Sequence, residues 1–133
     1  MKLFRRRSPL ARAPQQAHVL AAQRLHVHTA ESLVVVTFSP EVAPPLSAAL
    51  RAGEDVRLEC PDARPVSFVA APDKATPAPA LDPVAGWIIP ITQAVRAQLV
   101  ARTGEVAAQG EDGGVDKQYA WEIPGINLGL VCE

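Results

Sequence analysis

Little in this sequence can do covalent chemistry. Cysteine occurs twice, as Cys60 and Cys132, and neither sits in a C-x-x-C pair. That argues against a disulfide scaffold and against a thiol-redox motif; two scattered thiols read as small hydrophobic side chains. None of Ser8, Ser32, Ser39, Ser47 and Ser67 lies in G-x-S-x-G, and no G-x-G-x-x-G or G-x-x-x-x-G-K phosphate loop is present. No run approaches the ~20 apolar residues of a membrane helix. The start "MKLFRRRSPLARAP" lacks the ~7–15 apolar residues of a secretory signal. These absences lead us to expect a cytoplasmic protein with reduced thiols, no cofactor and no catalytic constellation.

Acidic residues are missing from the first thirty positions. Lys2, Arg5, Arg6, Arg7, Arg12 and Arg24 give that part a charge of +6, while seven basic and fourteen acidic residues give the remainder −7, which recovers the net −1. A basic segment on an acidic body suits three partners: nucleic acid, an anionic membrane surface, or the acidic body of another copy. A solvated terminus is the plain alternative. Residues 1–16, with Pro9 and Pro14 and little periodicity, read as a basic arm, and 17–133 as one domain; an apolar fraction of 48% in 133 residues suffices for one core.

From Arg24 onward the chain alternates. Leu25, Val27 and Thr29 point one way and Arg24, His26 and His28 the other, the period of a half-buried strand. Leu33 to Val36 are β-prone on both faces, which predicts a central strand joined to the first by a tight turn at "AES". Leu46 to Ala52 predict a short helix ended by Gly53. Val56, Leu58 and Cys60 alternate with Asp55, Arg57 and Glu59, and "VSFVA" follows as the second arm of a hairpin. Residues 71–83 are Pro/Ala-rich and read as a long surface loop. "GWIIPI" is a strand whose Pro90 implies an edge or a bulge. Ile91, Val95 and Leu99 then recur every four residues, predicting a helix over 93–103 between Thr92 and Gly104; a hairpin about Thr103–Gly104 is the alternative. "YAWEI" and "INLGLVC" alternate as strands, and the Pro124–Gly125 step between them suits a type II turn, so they are expected to pair with other neighbours. The fold expected is α+β: five to seven strands in a mostly antiparallel, curled sheet, with one or two short helices.

Two histidines at i and i+2 on a strand share a face roughly 7 Å apart, and imidazole suits zinc or a related ion. His26 and His28, with Glu31 nearby, are therefore a candidate metal set. They fall short of the His-x-His pattern of cupin metal sites: the gap to Glu31 is shorter, the flanking glycines are absent and no histidine follows. On a polar sheet face with Arg24 the same pair extends the basic surface instead. Glu111, Asp112 and Asp116 lack the spacing of a calcium loop and read as a solvated turn. Among the six aromatics, Phe38 and Phe68 read as core, whereas Trp87, Tyr119 and Trp121 form a candidate interaction surface. The acids around Lys117 make that region a poor nucleic-acid platform. The function expected is a non-enzymatic interaction or assembly component, homo-oligomeric, binding itself or another protein. Nucleic-acid binding through the arm and metal binding at His26 and His28 are the alternatives.

Overall fold

A computed structural model of the chain describes residues 17–74, 78–108 and 118–133. In chain order its elements are β1 (His18–Ala21), β2 (Leu25–Ala30), β3 (Leu33–Phe38), a 3-10 turn at Pro40–Val42, α1 (Ala43–Arg51), β4 (Val56–Glu59) and β5 (Val66–Ala70). β6 (Ala80–Asp82), β7 (Gly86–Ile91), α2 (Gln93–Ala108), β8 (Tyr119–Ile123) and β9 (Leu128–Cys132) follow. The α+β class is as expected. The strands form two sheets, ordered β1-β4-β5-β7-β6 and β2-β3-β9-β8, rather than one curled sheet.

Both sheets are mixed, which corrects the expected antiparallel bias. Of the seven strand pairings among the described residues, β1–β4, β3–β9 and β5–β7 are parallel. Alternation tells which face of a strand is buried, but not the direction of its neighbour. The last two strands do pair with each other, with Tyr119 opposite Cys132 and Ile123 opposite Leu128. Their connection is a four-residue turn at 124–127 with Gly125 at φ +89°, longer than the two-residue step expected. β6 forms inside the Pro/Ala segment and pairs antiparallel with β7. Its Asp82 carboxylate accepts the N–H groups of Val84 and Ala85, both at 2.8 Å, and those bonds, Ala85's above Val84's, hold it below the usual aspartate range. Pro90 lies on β7 two residues past Ile88, the last β7 residue paired with β6, so its missing N–H breaks no ladder bond on that side.

One buried cluster joins the inner faces of both sheets to the helices. It holds Val56, Leu58, Val66, Phe68, Ile89 and Ile91 from the first sheet and Val36, Phe38, Leu128 and Leu130 from the second. α1 starts on Pro44 and Pro45, where no N–H is needed. It ends in a Schellman motif: the Gly53 N–H donates to Leu50 O and the Glu54 N–H to Ala49 O, each at 3.1 Å. α2 begins at Thr92, whose hydroxyl accepts the Val95 N–H at 3.3 Å. It does not stop at Gly104 but runs to Ala108, so the hairpin alternative is wrong. A side chain at Gly104 would stand at ordinary contact distance, 3.7 Å, from Ser47 Oγ on α1; the glycine lies within the helix and does not end it. Arg96, only 7% exposed, donates from Nη1 to the carbonyls of Leu50 and Glu54, both at 3.1 Å, and so caps α1 from α2. No helix of the described residues is long and apolar enough to cross a membrane.

Gly53 and Gly86 both sit in the left-handed region, at φ +82° and +87°. A Cβ at Gly53 would meet nothing within 4 Å, whereas one at Gly86 would collide with the Pro65 carbonyl oxygen, which accepts the Trp87 N–H. Gly53→Ala is expected to cost about 1 kcal/mol, the left-handed penalty alone. Gly86→Ala adds a backbone clash and is expected to cost about 3 kcal/mol. Urea unfolding of the two variants checks the difference.

Candidate functional site

β2 lies at the edge of its sheet, bonded on one side only, to β3. The register pairs Leu25 with Phe38, Val27 with Val36 and Ala30 with Leu33. The turn between the strands is Glu31–Ser32, with Glu31 at φ +57°, as a two-residue hairpin loop requires. Just before β2, the Ser39 N–H donates to Arg24 O at 3.2 Å, which marks that pair as hydrogen-bonded. In an antiparallel ladder bonded and non-bonded pairs alternate. His26, His28 and Ala30 therefore spend their backbone groups on β3. Leu25, Val27 and Thr29 aim theirs away from the sheet. Among the described residues no strand receives them.

A groove runs along that open flank. Beside Leu25 and Val27 is a hollow of about 380 Å³, walled by Ala63 and Arg64 of the β4–β5 loop and by Leu81 and Trp87. A second, of about 540 Å³, extends over the outer face of the sheet, where Thr37 of β3 joins Arg24, His28, Cys60 and Glu133. Leu25, His26 and Asp62 line both, so the two adjoin. The groove offers an aromatic and aliphatic end at Trp87 and Leu81, and a polar end with cations and carboxylates side by side.

The start of β2 is fixed by a polar knot. Glu41 Oε2 accepts the Gln23 N–H at 2.8 Å and the Ser39 hydroxyl at 2.6 Å, while Ser39 Oγ accepts the Arg24 N–H at 3.0 Å. Arg24 Nη2 reaches the Glu133 carbonyl at 2.8 Å. Partial burial pushes the Glu41 carboxyl up, but its bonds from Ser39 and Gln23, its own N–H and the Arg24 charge outweigh that and hold it below the usual range. Nearby, Cys132 is enclosed; burial above all, then the negative charge of Glu41 and Glu133, pushes its thiol up to about 11 against the pull of Arg24. It is a protonated core side chain, not a nucleophile. Cys60, half-buried, points its thiol at Gln23 O, 3.7 Å away, and the two cysteines are unbonded.

The sequence-predicted residues fall into separate places. His26 and His28 stack on the exposed face of β2, ring centroids 5.5 Å apart and 25° from parallel. Glu31 stands in the hairpin turn and does not join them: among the described residues no three His, Cys, Asp or Glu side chains converge as a metal set. Tyr119 and Trp121 stack at 5.7 Å on β8, half-buried against the core, at the opposite edge of the sheet from β2. Trp87 belongs to the other sheet and lines the groove. Lys2, Arg5, Arg6, Arg7 and Arg12, and the acidic Glu111, Asp112 and Asp116, lie outside the described residues. Sequence reasoning missed Asp62 and Arg64; the "PDARP" link has no period from which to tell that it would face β2.

Glu41 generates a pH prediction. A carboxyl held low in the folded chain contributes stability that is complete above its unfolded value, about 4.3, and that is lost as the pH falls through its lower folded value. Glu41→Gln should lower the urea midpoint near pH 6, and the gap from the parent should close on acidification below pH 4.

Neither a protein-family model nor a curated protein matches the sequence. Among solved structures, the crystal structure of Drosophila Suppressor of Fused is similar, with a TM-score of 0.52 at 16% identity over 90% of this chain. The match covers 30% of that protein, and it is a likeness of fold.

Proposed function

We propose that the chain is a non-enzymatic protein-interaction module that takes an extended segment of its partner as an added strand along β2. The observation that carries this is the open flank of β2 and the groove beside it. A free strand edge is a template for another strand, and proteins that must avoid this blunt it with charge, proline or shortness. β2 has none of these devices. It is six residues long, the longest edge strand among the described residues; β1 has four, β6 three and β8 five. Between Leu25 and Ala30 there is no proline, lysine, arginine or carboxylate. Main-chain bonds at Leu25, Val27 and Thr29 would supply affinity, and the groove walls would select side chains at alternate positions of the guest. Trp87 and Leu81 suit an apolar guest residue; Asp62 and Arg64 suit polar ones.

Thr29→Pro tests this cleanly. The Thr29 N–H points away from β3 and its side chain is exposed, so proline there removes an outward donor and leaves the ladder to β3 intact. Random peptides selected by display against the parent protein should perturb the amide resonances of Leu25, Val27 and Thr29. They should lose about tenfold or more in affinity for Thr29→Pro, whose melting temperature stays within a few degrees of the parent. Selected peptides that bind elsewhere, or that ignore the substitution, would overturn the proposal.

A further inference from the structure

We infer that the segment added to β2 is the β2 strand of a second copy of this chain, and that the pair completes a four-histidine site for a zinc-type ion. This rests on strand addition at β2.

The outward groups at Leu25, Val27 and Thr29 are symmetric about Val27. An antiparallel partner related by a two-fold axis there places Val27 opposite Val27 and Leu25 opposite Thr29. Each of these pairs can exchange both backbone bonds. The residues between them then form non-hydrogen-bonded pairs, the kind whose Cα atoms approach to about 4.5 Å and whose side chains lie closest. Those residues are His26 of one copy and His28 of the other, twice. Within each chain the two rings already stand 5.5 Å apart on the outer face. The four imidazoles thus occupy the corners of one small patch, exposed enough to rotate until their nitrogens meet at the ~2.0–2.1 Å that zinc requires. One chain alone supplies two ligands, with no third among the described residues; the second copy supplies the others.

Charge fits the same register. The strand between Leu25 and Ala30 carries no fixed charge, so like charges do not meet across the axis. Arg24 falls opposite Ala30 of the second copy and beside that copy's Glu31, and symmetry gives this contact twice. Glu31, which cannot reach the histidines of its own strand as a ligand, acquires an electrostatic role here. The +6 and −7 division of the chain between residues 1–30 and the rest favours association of copies in the same sense. The hollow beside Leu25 and Val27 borders the same flank and can take side chains of the incoming strand.

Sedimentation velocity of the full chain, in EDTA and in zinc chloride, tests the inference. Zinc should tighten the dimer about tenfold or more, with one zinc for two chains by metal analysis. His26→Ala/His28→Ala should lose the zinc effect and keep the weaker metal-free dimer. Arg24→Glu should weaken association, and adding Glu31→Arg should restore it. Thr29→Pro should abolish association in both buffers. A monomer in both buffers whose β2 still takes selected peptides would overturn the second-copy inference and leave strand addition standing. Zinc tightening that survives loss of both histidines, or zinc held one per monomer, would overturn the shared site.

Discussion

The register between β2 and β3 decides what this molecule presents to its surroundings. With Leu25 opposite Phe38 and Ala30 opposite Leu33, Leu25 and Val27 turn their side chains to the core, and the backbone groups of Leu25, Val27 and Thr29 face outward. A slip by one residue would bury His26 and His28, expose Leu25 and Val27, and turn a different set of amides to the open flank. Two local devices hold the register: the Glu31–Ser32 turn at one end, and at the other the knot of Gln23, Arg24, Ser39 and Glu41. The hub of the knot is the hydroxyl of Ser39, itself fully buried, which donates to Glu41 and accepts from Arg24.

The two-residue rhythm of "RLHVHT" was enough to tell which side chains go inward, and the outward histidines and inward aliphatics stand where it put them. It could not tell which flank stays open. That depends on β9, whose residues pair with β3 from the far end of the sequence, and on a proline-rich link that happens to wall the groove. The helix beginning at 93 was legible from its four-residue repeat, but its end was not, because a glycine reads as a stop and Gly104 is instead carried inside the helix. The parallel pairings were not legible either, since β-prone runs carry no mark of direction. Trp87, Tyr119 and Trp121 looked alike in sequence; topology sent one to the groove and two to the opposite sheet edge.

The helices stabilise the scaffold from outside the site. Arg96 ties the last carbonyl groups of α1 to α2 from a nearly water-free position, and the missing side chain at Gly104 faces α1. α1 follows directly on the 3-10 turn that carries Glu41. Helix packing, the Ser39–Glu41 knot and the start of β2 therefore form one mechanical chain. The helix and the edge strand also meet in the core, where Leu25 belongs to the same buried cluster as Leu46 and Leu50.

The parallel pairing of β3 with β9 also shapes how the chain comes into being. Val34 and Leu128 are neighbours in the sheet, yet more than ninety residues of chain separate them. The β2–β3 hairpin closes through a local two-residue turn, while the other flank of β3, with its run of three valines, stays unoccupied until β9 joins it. Contacts so distant in sequence form slowly, and a half-covered apolar strand is adhesive while it waits. Until β9 docks, the bare flank of β3 is a place where a strand of other origin can compete with it.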